Sequence, residues 1–179
     1  MDKMDLMDRL ADRLQIEDAL VRYCRGADRG DVELMKSVFH DDAETWHGEI
    51  VHRGPESIAG YVEERIQARF TSGFHQLGNV TIRFGGDRAE VESYYTVALT
   101  LRGDPERPEG LHGAGRYLDS FERREDGVWR IVRRRVTTEF MMSAQPHLVL
   151  EESPGVRSRE DESYRPIGWY AEESSPAAP

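Results

Sequence analysis

The stretch FHQLGNVTIRF, residues 74–84, ends in an apolar–polar alternation and opens the part of the chain that decides the fold. Similar alternation returns at 87–101, 111–124 and 128–140. A period of two is typical of β-strands that bury one face. Short sequences rich in glycine and aspartate separate these segments, as tight turns require. Four consecutive strands joined by short turns predict an antiparallel sheet.

Toward the N-terminus, helical spacing replaces this alternation. Apolar side chains recur at intervals of three and four over 5–28, with a slip in register between Leu14 and Ile16. The slip suggests a short leading helix before the main one. Gly30 offers a stop for the main helix, and Asp31 fits the N-cap of a second helix.

The remaining pattern completes a fold prediction. Residues 43–53 have the pattern of a short hairpin, and Pro55 suits the first turn of a third helix that we expect to run to about Phe70. Helices followed by strands predict an α+β fold. We expect a cone-shaped α+β barrel, in which the N-terminal helices close a curved antiparallel sheet and leave one end open.

We divide the chain into a cone domain, 1–145, and a C-terminal extension, 146–179. The extension has no clear periodicity. We expect it to lie partly over the domain and to end in disorder at the sequence SSPAAP.

Composition excludes several classes of function. The net charge of −10 argues against a nucleic-acid partner and against an anionic membrane surface. The single cysteine, Cys24, excludes an intrachain disulfide and is interpreted as a packing residue. No apolar run is long enough to span a bilayer, and the acidic sequence MDKMDLMDRL lacks the apolar core of a secretory signal. We therefore expect a cytoplasmic protein.

Four polar residues in unlike settings are the candidates for catalysis. Tyr23 and Asp28 lie near the end of the main predicted helix, His75 opens the first alternating segment, and Arg134 lies in the last. An imidazole paired with a carboxylate can accept a proton, while a phenol and a guanidinium can stabilise a developing negative charge. Such a set needs no metal, nucleotide or covalent nucleophile.

Each candidate also has a structural interpretation. Asp28 could be a solvated helix end, Tyr23 a core aromatic residue and His75 a structural strand residue. Arg134 could belong to a surface salt-bridge stripe, but its alternation with Val136 favours an inward side chain.

Two further residues are candidates for binding a substrate. His112 begins a strand and could reach the same cavity, although its alternation with Ala114 and Arg116 favours an outward direction at least as strongly. Trp46, on the predicted hairpin, is the second candidate.

We expect no metal or other cofactor. The six histidines show no His-x-x-x-His spacing, and no cysteine pair exists. A metal site assembled from distant strands stays open as an alternative. The chain also lacks a glycine-rich phosphate loop and a Gly-x-Ser-x-Gly elbow.

The order of several short motifs resembles the SnoaL-like branch of the nuclear-transport-factor-two-like superfamily. The motifs are RYCRGADRGD at 22–31, FHDDA at 39–43, RGPESI at 53–58, HQLGNV at 75–80 and GRYLDSFERREDGVWRI at 115–131. The resemblance covers roughly residues 8–140. It implies a cone-shaped fold and, because members include dehydratases and a dehydrochlorinase, a cofactor-independent lyase.

By position in these motifs, the resemblance implies that Asp28 and His75 form a catalytic pair and that Arg134 lies near the leaving group. Tyr23 matches a tyrosine of the dehydratases, where the dehydrochlorinase carries lysine. The resemblance therefore implies elimination from an apolar, ring-containing small molecule, with dehydration favoured. Release of halide or formaldehyde stays open, as does a non-catalytic small-molecule binding module.

The predicted outer face of the sheet carries apolar residues that a monomer would expose. We therefore expect a homo-oligomer, either a dimer or a trimer.

Overall fold

A computed structural model describes residues 3–64, 68–103, 109–144 and 156–164. In these ranges the helices are α1 (Lys3–Arg29), α2 (Val32–Lys36) and α3 (Gly54–Val62). The strands are β1 (Phe39–His47), β2 (Ile50–Arg53), β3 (Phe70–Gly85), β4 (Arg88–Leu101), β5 (Gly110–Arg123) and β6 (Trp129–Ala144). The described helices include none that is both long and apolar enough to cross a bilayer.

The six strands form one sheet in the order β2-β1-β6-β5-β4-β3. The four long strands β3 to β6 form the predicted antiparallel meander, and β1 and β2 form the predicted hairpin. Strand β1 pairs with β6 in parallel, so the sheet has one parallel pairing besides its antiparallel ones. In the chain, β2, α3 and the strands β3 to β5 lie between β1 and β6. A local sequence pattern therefore cannot predict that β1 and β6 pair. The cone-shaped α+β fold is confirmed, with a sheet whose outermost strands, β2 and β3, do not pair with each other.

Helix α1 is one continuous helix, so the expected short leading helix is wrong. The slip in register between Leu14 and Ile16 separates two faces of the same helix. Ile16 and Leu20 are buried against the sheet, whereas Leu10 and Leu14 are exposed. The buried face packs on side chains of the sheet that include Val91, Phe121, Trp129 and Ile131. We call the side of the sheet that carries these residues its inner face.

The short helices differ in how well their ends were predicted. Asp31 caps α2 by accepting a hydrogen bond from the backbone N–H of Leu34 at 3.1 Å, as its position predicted. Helix α3 begins at Gly54 with a proline in its first turn, but it ends at Val62. Phe70 already belongs to β3, so the predicted extension of the helix to Phe70 is wrong.

Gly115 lets an aromatic side chain cross the inner face of the sheet. A Cβ atom at this position would lie 2.0 Å from the backbone oxygen of Thr137 and 2.6 Å from the hydroxyl of Tyr95. Tyr95 donates a hydrogen bond of 3.0 Å to that same oxygen. The pairing of β5 with β6 shifts register between Ala114 and Gly115, as at a β-bulge. Gly115 therefore fixes where Tyr95 lies.

The substitution Gly115→Ala should lower the free energy of unfolding, because the added methyl group must displace Tyr95 or the β6 backbone. Overpacking of this kind costs about 1–3 kcal/mol. Gly60→Ala is the matched control. Gly60 lies in α3, and a Cβ atom added there would meet nothing within 4 Å. The control should be neutral or stabilising by up to about 1 kcal/mol. Urea unfolding of the three proteins measures both effects, and equal stability of Gly115→Ala and wild type would contradict this account.

Candidate active site

Asp28 and His75 form a buried pair between α1 and β3. Asp28 Oδ1 lies 2.6 Å from His75 Nδ1, and Asp28 Oδ2 accepts the backbone N–H of His75 at 2.9 Å. Only 11% of the Asp28 side chain and 8% of the His75 side chain are exposed. An ionised carboxylate only accepts hydrogen bonds, so in a neutral His75 ring this geometry assigns the proton to Nδ1 and the lone pair to Nε2. The pair thus has the arrangement of a general base with its orienting carboxylate.

This geometry explains an unfavourable feature of the sequence. Asp28 lies in the last turn of α1, where the helix dipole opposes a negative charge. Its two hydrogen bonds to His75 compensate by tying the end of the helix to β3. Asp28 is not a solvated helix end, so that interpretation does not hold.

Arg134 is fully buried and points to the inner face. Its Nε and Nη2 donate to the two carboxylate oxygens of Asp119, at 2.8 and 2.7 Å, and neither side chain is exposed. Burial opposes the charge of Arg134, but the Asp119 carboxylate raises the pKa of Arg134 above its usual value. The third guanidinium nitrogen, Nη1, is buried and has no hydrogen-bond partner among the described residues. Nη1 is therefore the guanidinium nitrogen that does not bind Asp119. The guanidinium lies close to the Tyr23 ring, and a side-chain hydrogen bond with Arg134 lowers the pKa of the Tyr23 phenol against the rise that burial causes.

Aromatic rings connect the two polar pairs. The Arg134 guanidinium lies 4.1 Å from the ring centre of Tyr23 and 4.2 Å from that of Tyr117. Tyr117 stacks on Tyr95 at 4.6 Å, and Tyr95 lies 6.4 Å from the imidazole of His75. The structure therefore brings all four candidate catalytic residues into one connected cluster.

Tyr23 keeps its proton in this cluster. Burial raises the pKa of its phenol, although Arg134 opposes the rise. A protonated phenol can donate a hydrogen bond to a ligand oxygen. Burial also raises the pKa of the neighbouring Cys24 to about 12, so its thiol stays protonated, which agrees with a packing role.

Sequence reasoning missed three members of the cluster: Tyr95, Tyr117 and Asp119. Tyr117 and Asp119 share one alternation class of β5 with Gly115, and the absence of a side chain at Gly115 leaves room for Tyr95. A carboxylate on the same strand face as a buried tyrosine is a signal that could have identified Asp119 as the partner of an inward arginine.

The structure does not bring His112 or Trp46 to this cluster. His112 is exposed, on the outer face, against the ring of Phe140 at 6.3 Å. Trp46 pairs in register with Arg135, on the face opposite to Thr45 and Arg134. The period of two places both side chains on the outer side, so neither lines this cluster.

A second group of rings lies on the inner face near the hairpin. His47 follows the buried Thr45 by two residues, and its ring lies 4.5 Å from that of Tyr61 on α3. The ring of His52 lies 4.2 Å from Tyr61 as well. Burial, assisted by His52 and Arg134, lowers the pKa of His47 to about 4. Sequence reasoning passed over both histidines because hairpin residues are usually exposed.

Two concavities of the described surface lie away from this cluster. Among the described residues, no three His, Cys, Asp or Glu side chains are placed to hold a metal ion. A concavity of about 1090 Å³ lies between α2, the start of β1 and the turn before β6, and a second of about 620 Å³ lies where β3, β4, β5 and β6 expose Arg83 and Arg88. Neither is lined by Asp28, His75 or Arg134, so we assign the site on its chemistry.

The fold defines a class of small α+β proteins in which helices pack on a curved sheet. Within this class the chain belongs to the SnoaL-like domain family, whose sequence model matches residues 8–135. A Mycobacterium tuberculosis protein named Uncharacterized protein Rv2910c is 32% identical over 134 residues, covering 73% of this chain and 88% of that protein.

Two further relatives carry the name of an enzyme. Gamma-hexachlorocyclohexane dehydrochlorinase of Sphingobium indicum is 28% identical over 138 residues, covering 76% of this chain and 86% of that protein. The crystal structure of a type 2 hexachlorocyclohexane dehydrochlorinase superposes with a TM-score of 0.72 at 22% identity, covering 82% of this chain and 98% of that chain. The likeness of structures shows the fold, and the sequence relationship places the chain among relatives of elimination-type lyases.

The depressed pKa of His47 predicts a pH dependence of stability. His47 is neutral in the folded protein down to about pH 4, whereas an unfolded histidine binds a proton below about pH 6.5. Stability should therefore fall as pH drops through this window, by about 1–3 kcal/mol after allowance for partial exposure. Urea unfolding between pH 7 and pH 4 should show a smaller loss in His47→Gln than in wild type. Identical curves for the two proteins would contradict the burial of His47.

Proposed function

We propose that this protein is a metal-independent lyase that eliminates water from an apolar, ring-containing alcohol. The observation that carries the proposal is the buried hydrogen bond between His75 Nδ1 and Asp28. It leaves Nε2 as a proton acceptor and supplies a carboxylate to stabilise the imidazolium that forms. The family relationship to elimination-type lyases supports the same class of reaction.

In the proposed reaction, His75 Nε2 takes a proton from a carbon next to an activating group. The electron pair of that C–H bond forms the new double bond, and the neighbouring C–O bond breaks. Tyr23 donates its phenolic proton to the departing oxygen, which leaves as water. The proton held by His75 then returns to the Tyr23 phenolate, directly or through solvent, and restores both groups.

Arg134 supplies a fixed positive charge in this proposal. Its Nη1 is the unpaired donor that can hold the activating or departing oxygen, while Asp119 and two tyrosine rings keep the guanidinium in place. A preorganised cation in a dry site stabilises developing negative charge without reorganisation. The phenol of Tyr23 is what favours an oxygen leaving group, which must be protonated, over a halide, which need not be.

A non-catalytic binding module is the second candidate. The observation that favours it is the engagement of Arg134, since two of its three guanidinium nitrogens already bind Asp119. In a binding module, His75 Nε2 and Arg134 Nη1 would hydrogen-bond a ligand without turnover. Product formation that depends on His75 distinguishes the two candidates.

A screen of hydroxylated polycyclic, aromatic and steroid-like compounds, with chlorinated cyclohexanes beside them, should reveal an elimination product. His75→Ala should lower turnover by about 10²–10⁴-fold, because general base catalysis typically contributes that much. Turnover should fall as acid protonates the imidazole, and a chelator should change nothing. Tyr23→Phe should impair loss of water more than loss of chloride.

Glu49→Gln, which changes an exposed side chain on the β1–β2 turn, is the control and should keep wild-type turnover. Product formation that survives His75→Ala would refute the assigned base. Activity lost on metal removal and restored by one divalent ion would replace this mechanism with a metal-dependent one.

We also propose that the protein acts as a homo-oligomer, a dimer or a trimer. The outer face of the sheet exposes Phe74, Tyr94, Phe140 and Met142, each with about half of its surface accessible. Phe74, Ala98, His112 and Met142 are aligned across β3 to β6 by the strand register. An aligned apolar face of this kind is typical of a buried interface.

Sedimentation at micromolar concentration should therefore show an assembly larger than the monomer. Phe140→Lys should shift the population toward the monomer, because a charge would have to be buried in the interface. Glu49→Lys, on the β1–β2 turn, is the control and should leave the assembly unchanged. A purely monomeric wild-type protein would contradict the proposal.

A further inference from the structure

The C-terminal extension reaches the proposed active site. Residues 156–164 lie outside the part of the chain that the family model matches, and they pack against the ends of α1 and α2. Asp31, the cap of α2, accepts hydrogen bonds from Arg159 at 3.0 Å and from Tyr164 at 2.9 Å. Arg29 pairs with Asp161 at 3.2 Å. These contacts hold the segment beside the last turn of α1, which carries Asp28.

Asp161 shapes the segment internally. Its carboxylate accepts the backbone N–H groups of Val156, at 2.8 Å, and of Ser163, at 3.0 Å. The Ser163 hydroxyl and these backbone donors lower the pKa of Asp161, so the carboxylate stays ionised. These hydrogen bonds within the segment hold the backbone on both sides of Arg157, so they help to orient its side chain.

Arg157 enters the space behind Asp28. Its Nη2 donates to the backbone oxygen of Ala27 at 2.8 Å. Its Nη1 is buried and has no hydrogen-bond partner among the described residues. A buried guanidinium nitrogen without a hydrogen bond is costly, and the charge of the nearby Asp28 offsets part of this cost.

Gly73 makes room for this guanidinium. A Cβ atom on Gly73 would lie 2.8 Å from Arg157 Nη1 and 3.7 Å from Asp28 Oδ1. The guanidinium and the carboxylate thus approach the same glycine, two residues before His75 on β3. Burial lowers the pKa of Arg157, and the charge of Asp28 opposes this effect.

We propose that Arg157 is a positioning residue of the Asp28–His75 pair, whose positive charge attracts the Asp28 carboxylate from the side of the C-terminal segment. The inference rests on the proposed role of His75 as a base. By raising the cost of a second positive charge nearby, Arg157 keeps the imidazole available as a proton acceptor. The extension is then part of the site.

Other groups also face the pair or Arg157. The Tyr95 ring on β4 lies 6.4 Å from the imidazole of His75. Arg29 on α1 and Arg102 after β4 also exert their charge on Arg157. A test must therefore compare variants in which only the charge at position 157 changes.

The test follows the imidazole signals of His75 by NMR as pH is varied, in the full-length protein without substrate. In Arg157→Gln, which keeps a donor for the Ala27 oxygen, the titration midpoint should move upward by about 0.5–1 pH unit, because a nearby positive charge has been removed. Arg157→Lys should stay within about 0.2 pH unit of wild type, because the charge remains.

Arg159→Gln is the matched control, since it removes an equal charge from the same segment while Arg159 contacts Asp31 instead of the dyad. It should leave the His75 midpoint unchanged. The proposal is overturned if Arg157→Gln leaves the midpoint in place or lowers it, or if Arg157→Lys or Arg159→Gln shifts it as much as Arg157→Gln. The titration needs no turnover, so it can fail while the proposed lyase activity stands, and the reverse also holds.

Discussion

The two hydrogen bonds between Asp28 and His75 are the constraint on which the rest of the site depends. They join the last turn of α1 to β3, and they place a carboxylate where the helix dipole disfavours it. Such a position is tolerated only because the pair satisfies both carboxylate oxygens. The proposed chemistry depends on this pairing, because it decides which ring nitrogen of His75 is left to accept a proton.

The second buried pair, Arg134 and Asp119, gives the cluster its charge and its order. Two fully buried ions are costly to desolvate, and such a pair is often no better for stability than apolar residues of the same size. The presence of this ion pair in the centre of the cluster therefore fits a chemical role for Arg134 Nη1, which does not bind Asp119. The rings of Tyr23 and Tyr117 stack on the guanidinium and complete its support.

Local periodicity predicted most of the sheet, because a strand with one buried face shows its period in the sequence alone. It could not predict contacts that join distant segments, such as the Asp119 partner of Arg134 or the docking of Arg157 beside Asp28. Strict alternation also fails between Ile131 and Arg134, both of which are buried, because the pairing of β5 with β6 shifts register there. The pairing of Asp28 with His75 came from resemblance and not from period or composition.

The most direct test of the central claim is the protonation of the two ring nitrogens of His75, read by ¹⁵N NMR above the pH at which the ring becomes neutral. The account predicts a proton on Nδ1, facing Asp28, and a free lone pair on Nε2. It also predicts that Asp28→Asn weakens this preference, since the amide can offer a donor in place of the carboxylate. A neutral ring protonated on Nε2 in the wild-type protein would contradict the account, because His75 could not then act as the base.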